Sequence, residues 1–189
     1  MPRSVTDARD RILAIADELF YREGIRATGV DTIIARSEVA KTTLYRYFPS
    51  KDDLVVAYLE QRNQLFWQLL EEQLARSPDD PKQQLLATLD WIDSLLANEE
   101  SQGCPFLMVA SEFPETDYPG HQVAIAHKVK LRDRLAKIAT AMGIAQGTEL
   151  ADGLMLLVDG AFAQRRLYQA HQVKLSTTAE LLIRVYLDG

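Results

Sequence analysis

A single cysteine, Cys104, stands among 189 residues, so an internal disulfide framework is excluded and the chain suits a reducing compartment. No apolar run approaches the roughly 20 residues that a membrane-spanning helix needs. The N-terminus is polar from Pro2 to Arg11 and lacks the apolar core of a signal peptide. There is no Gly-x-Ser-x-Gly, no phosphate-cradling glycine loop and no His-Glu-x-x-His, so the short signatures of hydrolase, nucleotide-binding and metalloprotease chemistry are missing. Histidine is scarce. His121 and His127 lie six apart and cannot share a helix face as an i, i+4 pair, and neither His171, Cys104 nor Asp159 completes a metal-ligand spacing with them. No metal and no cofactor is expected. Alternating strand patterns, internal repeats and low-complexity tracts are also lacking.

What is present begins with charge. The net charge of −6 is unsuited to binding a polyanion, but it is unevenly spread. Residues 1–51 carry nine Lys/Arg against seven Asp/Glu, whereas residues 52–189 carry twelve against twenty. Only the first part is compatible with phosphate. Within it, Ala40-Lys41-Thr42-Thr43-Leu44-Tyr45-Arg46-Tyr47-Phe48 predicts a short helix with one narrow apolar stripe, Leu44 and Phe48. Lys41, Thr42, Thr43, Tyr45, Arg46 and Tyr47 then point outward, as donors and cations suited to a DNA groove and its phosphates.

The flanks support that reading. Thr28 to Ser37 predicts a short amphipathic helix on Val30, Ile33 and Ile34, with Thr28 and Asp31 at capping-box spacing. Glu38-Val39-Ala40 is then a three-residue turn, the layout of a helix-turn-helix. Pro49 stops the second helix, Ser50 is placed to cap the next, and Asp53 follows three residues on. Lys41 and Arg46 are expected at base edges. Thr42, Thr43, Tyr45, Tyr47 and Lys51 are expected on phosphates, Lys51 at a helix N-terminus.

The chain resembles the TetR family of transcriptional regulators. The resemblance rests on Arg11-Ile12-Leu13, Ala16, Leu19-Phe20, Gly24, Thr28, Val39, and above all on the run from Lys41 to Leu54. Gly103-Cys104-Pro105-Phe106 with Glu112-Phe113-Pro114 is similar to a stretch met in one subgroup. Two positions depart from the pattern: Glu38 stands where the turn often carries Gly, and Ala40 where Ser or Thr often stands. A left-handed non-glycine residue costs on the order of 1 kcal/mol, and a missing cap about 1 kcal/mol. Both bear on the stability of the turn rather than on groove contact.

The remaining periodicity is helical throughout. Expected helices cover about 7–23, with Ala8, Ile12, Ile15, Ala16, Leu19 and Phe20 inward and Gly24 as terminator; 51–75; 82–97; 104–113; 121–142; 148–171; and 177–187. Residues 1–6 read as a disordered arm. The helix over 51–75 has no interior Gly or Pro, and its Leu54/Tyr58/Leu65/Leu69 and Leu59/Phe66/Leu70/Leu74 stripes predict burial on two sides. Residues 77–81 and 114–120 carry loop and turn chemistry. The expectation is an all-α fold of nine helices, TetR-like in architecture, with a DNA-binding domain over 1–50 and a regulatory domain over 51–189.

The regulatory half offers Trp67, Trp91, Cys104, Phe106, Met108, Phe113, Met155, Asp159 and Phe162 as candidate ligand-binding residues. Aromatic and Met residues at this spacing are ordinarily core; the resemblance implies instead a cavity for a small-molecule effector. Asp159, isolated in Leu156-Leu157-Val158-Asp159-Gly160, needs a partner, either a bound ligand or one of Arg165 and Arg166. The last two helices carry more apolar surface than a lone hairpin hides, and the resemblance implies that they form a homodimer. The expected protein is a cytoplasmic, ligand-responsive regulator, a non-enzyme that represses by binding double-stranded operator DNA and does not engage membranes. The alternative is a helical protein-interaction module that keeps the helix-turn-helix shape without DNA affinity.

Overall fold

The computed structural model describes residues 5–77, 79–169 and 174–188. All regular structure among them is helical: α1 (Val5–Glu23), α2 (Val30–Ser37), α3 (Lys41–Tyr47), α4 (Lys51–Leu74), α5 (Pro81–Ala97), α6 (Pro105–Glu112), α7 (Pro119–Ala141), α8 (Gly147–Tyr168) and α9 (Leu175–Asp188). The all-α, nine-helix expectation holds. Most boundaries agree within two residues. α1 starts at Val5, so residues 5 and 6 are helical rather than part of an arm. The turn before α7 ends at Tyr118, because Pro119 takes the first helical position, where its fixed φ and missing N–H cost nothing. α8 ends at Tyr168 rather than running to about His171, because Gln169 turns left-handed (φ 52°) and caps it; residues 170 and 171, and the arm residues 1–4, lie outside the described residues.

By packing, the chain forms two compact units. One comprises α1–α3, the first half of α4, α6 and the first turns of α7; the other holds the rest of α4, α5, most of α7, α8 and α9.

The first unit is built on the inward face of α1. Ile12, Ala16, Leu19 and Phe20 are 0–1% exposed, as are Ile33 of α2, Leu44 of α3, and Leu54, Val55, Tyr58 and Leu59 of α4. Fully burying each large apolar side chain contributes about 1.5–3 kcal/mol, which is how two helices of eight and seven residues are held in place. Isolated helices so short are unstable in water. Phe20 and Tyr58 meet edge to face with ring centroids 5.6 Å apart. Arg62 binds Asp17 through two bonds of 2.5 and 2.8 Å and fixes α4 to α1.

The second unit is centred on Leu85, Leu89, Ile92 and Leu96 of α5, Leu131 and Leu135 of α7, Leu150, Leu154 and Val158 of α8, and Ala179 and Ile183 of α9. Asp93, buried on α5, accepts the backbone N–H groups of Leu175 and Ser176 at 2.8 Å each, so a carboxylate on one helix caps the positive end of another. The two-sided burial expected along α4 holds only in its first half. Beyond it one stripe stays inside, Trp67, Leu70 and Leu74, while Leu65 is 51% exposed and Leu69 half-buried.

Candidate nucleic-acid interface

The geometry of the turn sets the site. α2 ends on Ser37, whose hydroxyl donates back to the Ile33 carbonyl at 2.6 Å. Glu38 then adopts the left-handed conformation (φ 53°, ψ 42°), and its N–H returns to the Ile34 carbonyl. Ala40 is the extended N-cap of α3 and has no side chain to offer; its carbonyl takes the N–H groups of Thr43 at 2.8 Å and Leu44 at 3.2 Å. Backbone bonds therefore close the turn at both of its ends. The expected cap of α2 by Thr28 is not made: the N-cap is Gly29, and the buried Thr28 hydroxyl donates to the Gly24 carbonyl at 2.7 Å, pinning the loop to the end of α1. At α4 the expected cap is present in reciprocal form. The Asp53 N–H donates to Ser50 Oγ at 3.0 Å and the Ser50 N–H to Asp53 Oδ2 at 2.9 Å.

α3 faces inward only through Leu44; Phe48, its C-cap, is buried beside it. Lys41, Thr42, Tyr45 and Arg46 are exposed, while Thr43 and Tyr47 are half-buried. Lys41 Nζ lies 3.2 Å from Asp31 Oδ1, both groups largely in solvent. Such a pair is worth about 0–1 kcal/mol, so a stronger anion displaces it readily. The Arg46 guanidinium lies over the Tyr47 ring, 5.0 Å from its centroid, and its Nη2 is 3.4 Å from the Tyr47 hydroxyl. Arg36, on the neighbouring helix, pairs with Glu18 at 3.0 Å.

Lys51 differs from the other candidates. Its Nζ donates to the Ile25 carbonyl at 2.6 Å, and partial burial lowers its pKa against the opposing pull of Glu112 and Asp52. One of its three N–H donors thus serves the fold, which leaves two for an anion at the start of α4.

A support under the head went unseen in the sequence. Glu112, at the end of α6, accepts the N–H of Ile25 at 3.0 Å and of Arg26 at 2.7 Å through its two carboxylate oxygens. Its carbonyl takes Arg26 Nε at 2.7 Å. The Arg26 guanidinium lies 4.7 Å from the centre of the Phe113 ring, which stacks on Tyr118 at 4.1 Å. The Tyr118 hydroxyl donates to Asp52 at 2.9 Å; burial foremost, then that bond and the nearby carboxylates, raise its pKa. No local signal marks the Glu112 and Tyr118 hydrogen bonds, whose partners stand 66 to 87 positions apart.

The nine expected ligand-binding residues fall into both units. Phe106, Met108 and Phe113 belong to the first, where Phe106 is buried and Phe113 serves the cluster just described. Trp67, Trp91, Cys104, Met155, Asp159 and Phe162 belong to the second. There Phe66 lies at the hub of an aromatic cluster, 5.7 Å from Trp67, 4.9 Å from Trp91 and 4.7 Å from His127 between ring centroids. Lys130 Nζ sits 4.0 Å over the Trp67 ring, and the buried Trp67 Nε1 has no hydrogen-bond partner. His127 is pushed down to about 3 by burial, then by Lys128 and Lys130, and is a neutral ring at physiological pH. Cys104 and Phe162 are buried. Asp159 does find a partner, but it is Lys128 of α7 rather than Arg165 or Arg166; the i+6 and i+7 positions on its own helix are taken up elsewhere.

Among the described residues no group of three or more His, Cys, Asp or Glu is placed to hold a metal, and no helix is long and apolar enough to cross a membrane. His121 Nδ1 lies 2.8 Å from the Phe113 carbonyl; His171 lies outside the described residues.

Residues 12–58 match the model of a family described as bacterial regulatory proteins, tetR family. YxaF of Bacillus subtilis, an uncharacterised HTH-type transcriptional regulator, is 31% identical over 108 residues, so the match spans about half the length of that relative, 56% of either chain. The HTH-type transcriptional regulator YjdC of Escherichia coli is 22% identical over 173 residues, 92% of this chain and 90% of that one. The crystal structure of a TetR-family transcriptional regulator from Streptomyces coelicolor superposes with a TM-score of 0.84 at 30% identity, over 96% of each chain.

Proposed function

Because the chain belongs to the TetR family of DNA-binding transcriptional regulators, we propose that it acts as a ligand-responsive repressor that binds a palindromic operator as a homodimer. A small-molecule effector releases it. The observation that carries this reading is the division of labour in α3. Leu44 and Phe48 hold the helix, while Lys41, Thr42, Tyr45 and Arg46 stand in solvent with only weak partners of their own.

In this reading Lys41 and Arg46 meet base edges in the major groove, and Thr42, Thr43, Tyr45, Tyr47 and Lys51 hold phosphates. Residues 1–50 form the DNA-binding domain and residues 51–189 the regulatory domain. Homodimerisation runs through α8 and α9, whose Leu156, Leu167, Leu181 and Val185 are 61–76% exposed in the isolated chain. Four large aliphatic side chains in water on two adjacent helices are what an isologous four-helix contact would cover. The effector is placed against the aromatic residues of the second unit, with Trp67 and Trp91 as its main apolar surfaces and the unpaired Trp67 Nε1 as a donor. α4 and α7 each run from one unit into the other, and they are the elements proposed to couple the two sites. By linkage, DNA then weakens effector binding by the same factor that effector weakens DNA binding. The protein works in the cytoplasm and has no enzymatic activity.

A mobility-shift assay on promoter fragments at two salt concentrations tests the reading. The expected result is a sequence-preferring shift that weakens steeply with salt. Absence of a shift on every fragment, even at low salt, would instead support a helical interaction module.

A further inference from the structure

Within the second unit, Glu99, Ser101, Gln102, Arg165, Arg166 and Gln169 line a cavity of about 220 Å³. All six side chains are polar, and none belongs to the aromatic cluster assigned to the effector. Its centrepiece is Arg165, 7% exposed on α8. Its Nη2 donates to the carbonyls of Asn98 at 3.2 Å and Glu99 at 3.0 Å, just past the end of α5. Those carbonyls carry only partial charge. Among the described residues no carboxylate pairs with this guanidinium, and its buried Nε has no hydrogen-bond partner.

A buried cation without a counter-ion is costly unless something else neutralises it. A purely structural role, stapling α8 to the end of α5, explains the Nη2 bonds. It does not explain the unpaired Nε, the open volume beside it, or a second arginine lining the same space. Arg166 is held there by contacts of 3.3 and 3.4 Å to the Gln102 carbonyl and Oε1, both long for bonds from a cation. Ser101 Oγ accepts a distant N–H from Gly103 at 3.4 Å and keeps its own proton to donate. Two guanidiniums face one carboxylate, Glu99, which is exposed.

We propose that this cavity binds a small oxyanion, the phosphate or carboxylate group of a metabolite, gripped by Arg165, Arg166 and the Ser101 hydroxyl. The planar forks of two arginines match such groups through paired N–H donors. The volume leaves room for a ligand larger than one inorganic phosphate.

The full-length protein, titrated calorimetrically with inorganic phosphate and in parallel with succinate, at ionic strength matched by sodium chloride, tests this. Saturable binding of at least one anion is expected, with affinity at least tenfold lower in Arg165→Gln and Arg166→Gln and lower also in Ser101→Ala. Tighter phosphate binding points to a phosphorylated ligand, tighter succinate binding to a carboxylate. Arg166 and Ser101 are not core residues, so their variants keep the test open should Arg165→Gln fail to fold. No saturable heat with either anion would overturn the proposal. So would wild-type affinity in Arg166→Gln and Ser101→Ala, or an Arg166→Gln variant that binds anion normally but dissociates in sedimentation, which would assign the arginine to a contact between copies.

Discussion

Replacing Glu112 by Gln removes one acceptor from a carboxylate that holds two backbone N–H groups, Ile25 at 3.0 Å and Arg26 at 2.7 Å. The amide oxygen of Gln can still accept one of them. Its NH₂ must face the other, donor against donor. Hydrogen bonds to a charged group are worth about 1.5–3 kcal/mol; the site is partly open to solvent, so the lost bond is placed near 1.5 kcal/mol. Conversion of the surviving bond from charged to neutral costs about half as much again, giving a total of about 2 kcal/mol. For a chain of this size each kcal/mol moves the melting temperature by about 2–4 °C, so Glu112→Gln should lower it by roughly 4–8 °C. The Arg26 Nε bond to the Glu112 carbonyl survives and keeps the loss from being larger. Thermal unfolding followed by circular dichroism gives the magnitude, and hydrogen exchange locates it. Protection should fall first at the amides of residues 25 and 26. A shift under 1 °C with unchanged exchange at those two amides would show that the carboxylate does not hold the head to α6.

Four further expectations follow from the same structure. Lys41→Ala should weaken binding to cognate operator by about 1–3 kcal/mol and relax specificity, measured by fluorescence anisotropy; equal loss on random duplex would contradict a base-reading role. Leu181→Glu places a charge on a face proposed to be covered by a second copy, and sedimentation at micromolar concentration should then show the 21.3 kDa monomer; a persistent dimer would move the interface elsewhere. His127 takes a proton near pH 6.5 when unfolded but only near 3 when folded. The unfolded state therefore binds more protons throughout that window, and stability falls as pH falls through it, by up to about 1.4 kcal/mol per unit. In urea melts at pH 6.5 and 4.5, His127→Leu should gain on the wild type at the lower pH, and a constant difference would refute this. Glu38→Gly relieves a left-handed strain of about 1–2 kcal/mol but admits a more flexible unfolded chain at about 0.5–1 kcal/mol. A net gain of about 0.5–1 kcal/mol is expected in the same melts, and a loss would mean that the Glu38 side chain holds the turn.

The helix-turn-helix was legible because each of its signals is local: the Leu44/Phe48 spacing, the three-residue turn, and the Ser50/Asp53 pair that the structure shows in reciprocal contact. The left-handed strain at Glu38 was likewise visible as a departure at a single position. Thr28 was misread because a threonine hydroxyl has two local options, a forward N–H or a carbonyl four residues back. The Gly24 carbonyl, freed at the end of α1, wins. Leu65 was misread because an apolar stripe continues in sequence after the surface that covers it has ended. The Lys128–Asp159 pair and the Glu112 contacts bring together residues 31 and 86 or more positions apart, and no periodicity encodes such a meeting. The joining of α6 to the first unit escaped notice for the same reason.

The placement of strain and support bears on how the head works. Residues proposed to read DNA should have little structural duty, since a side chain that holds the fold cannot be re-aimed at a base. Lys41, Thr42, Tyr45 and Arg46 meet that condition. The fold is held instead by Leu44 and Phe48 from within, and by Lys51 and Glu112 from the side away in sequence, both fastened to the Ile25–Arg26 backbone. Lys51 donates to a carbonyl there and Glu112 accepts the N–H groups. One short loop therefore ties the start of α4 and the end of α6 to the end of α1. A change in the position of α6 must break or drag two charge-assisted bonds at this loop, worth a few kcal/mol together. That is comparable to the 1–3 kcal/mol of coupling typical between allosteric sites. Beside the α4 and α7 route proposed above, we propose the Ile25–Arg26 loop as the point at which a displacement of α6 would move α1 without disturbing any side chain on the exposed face of α3.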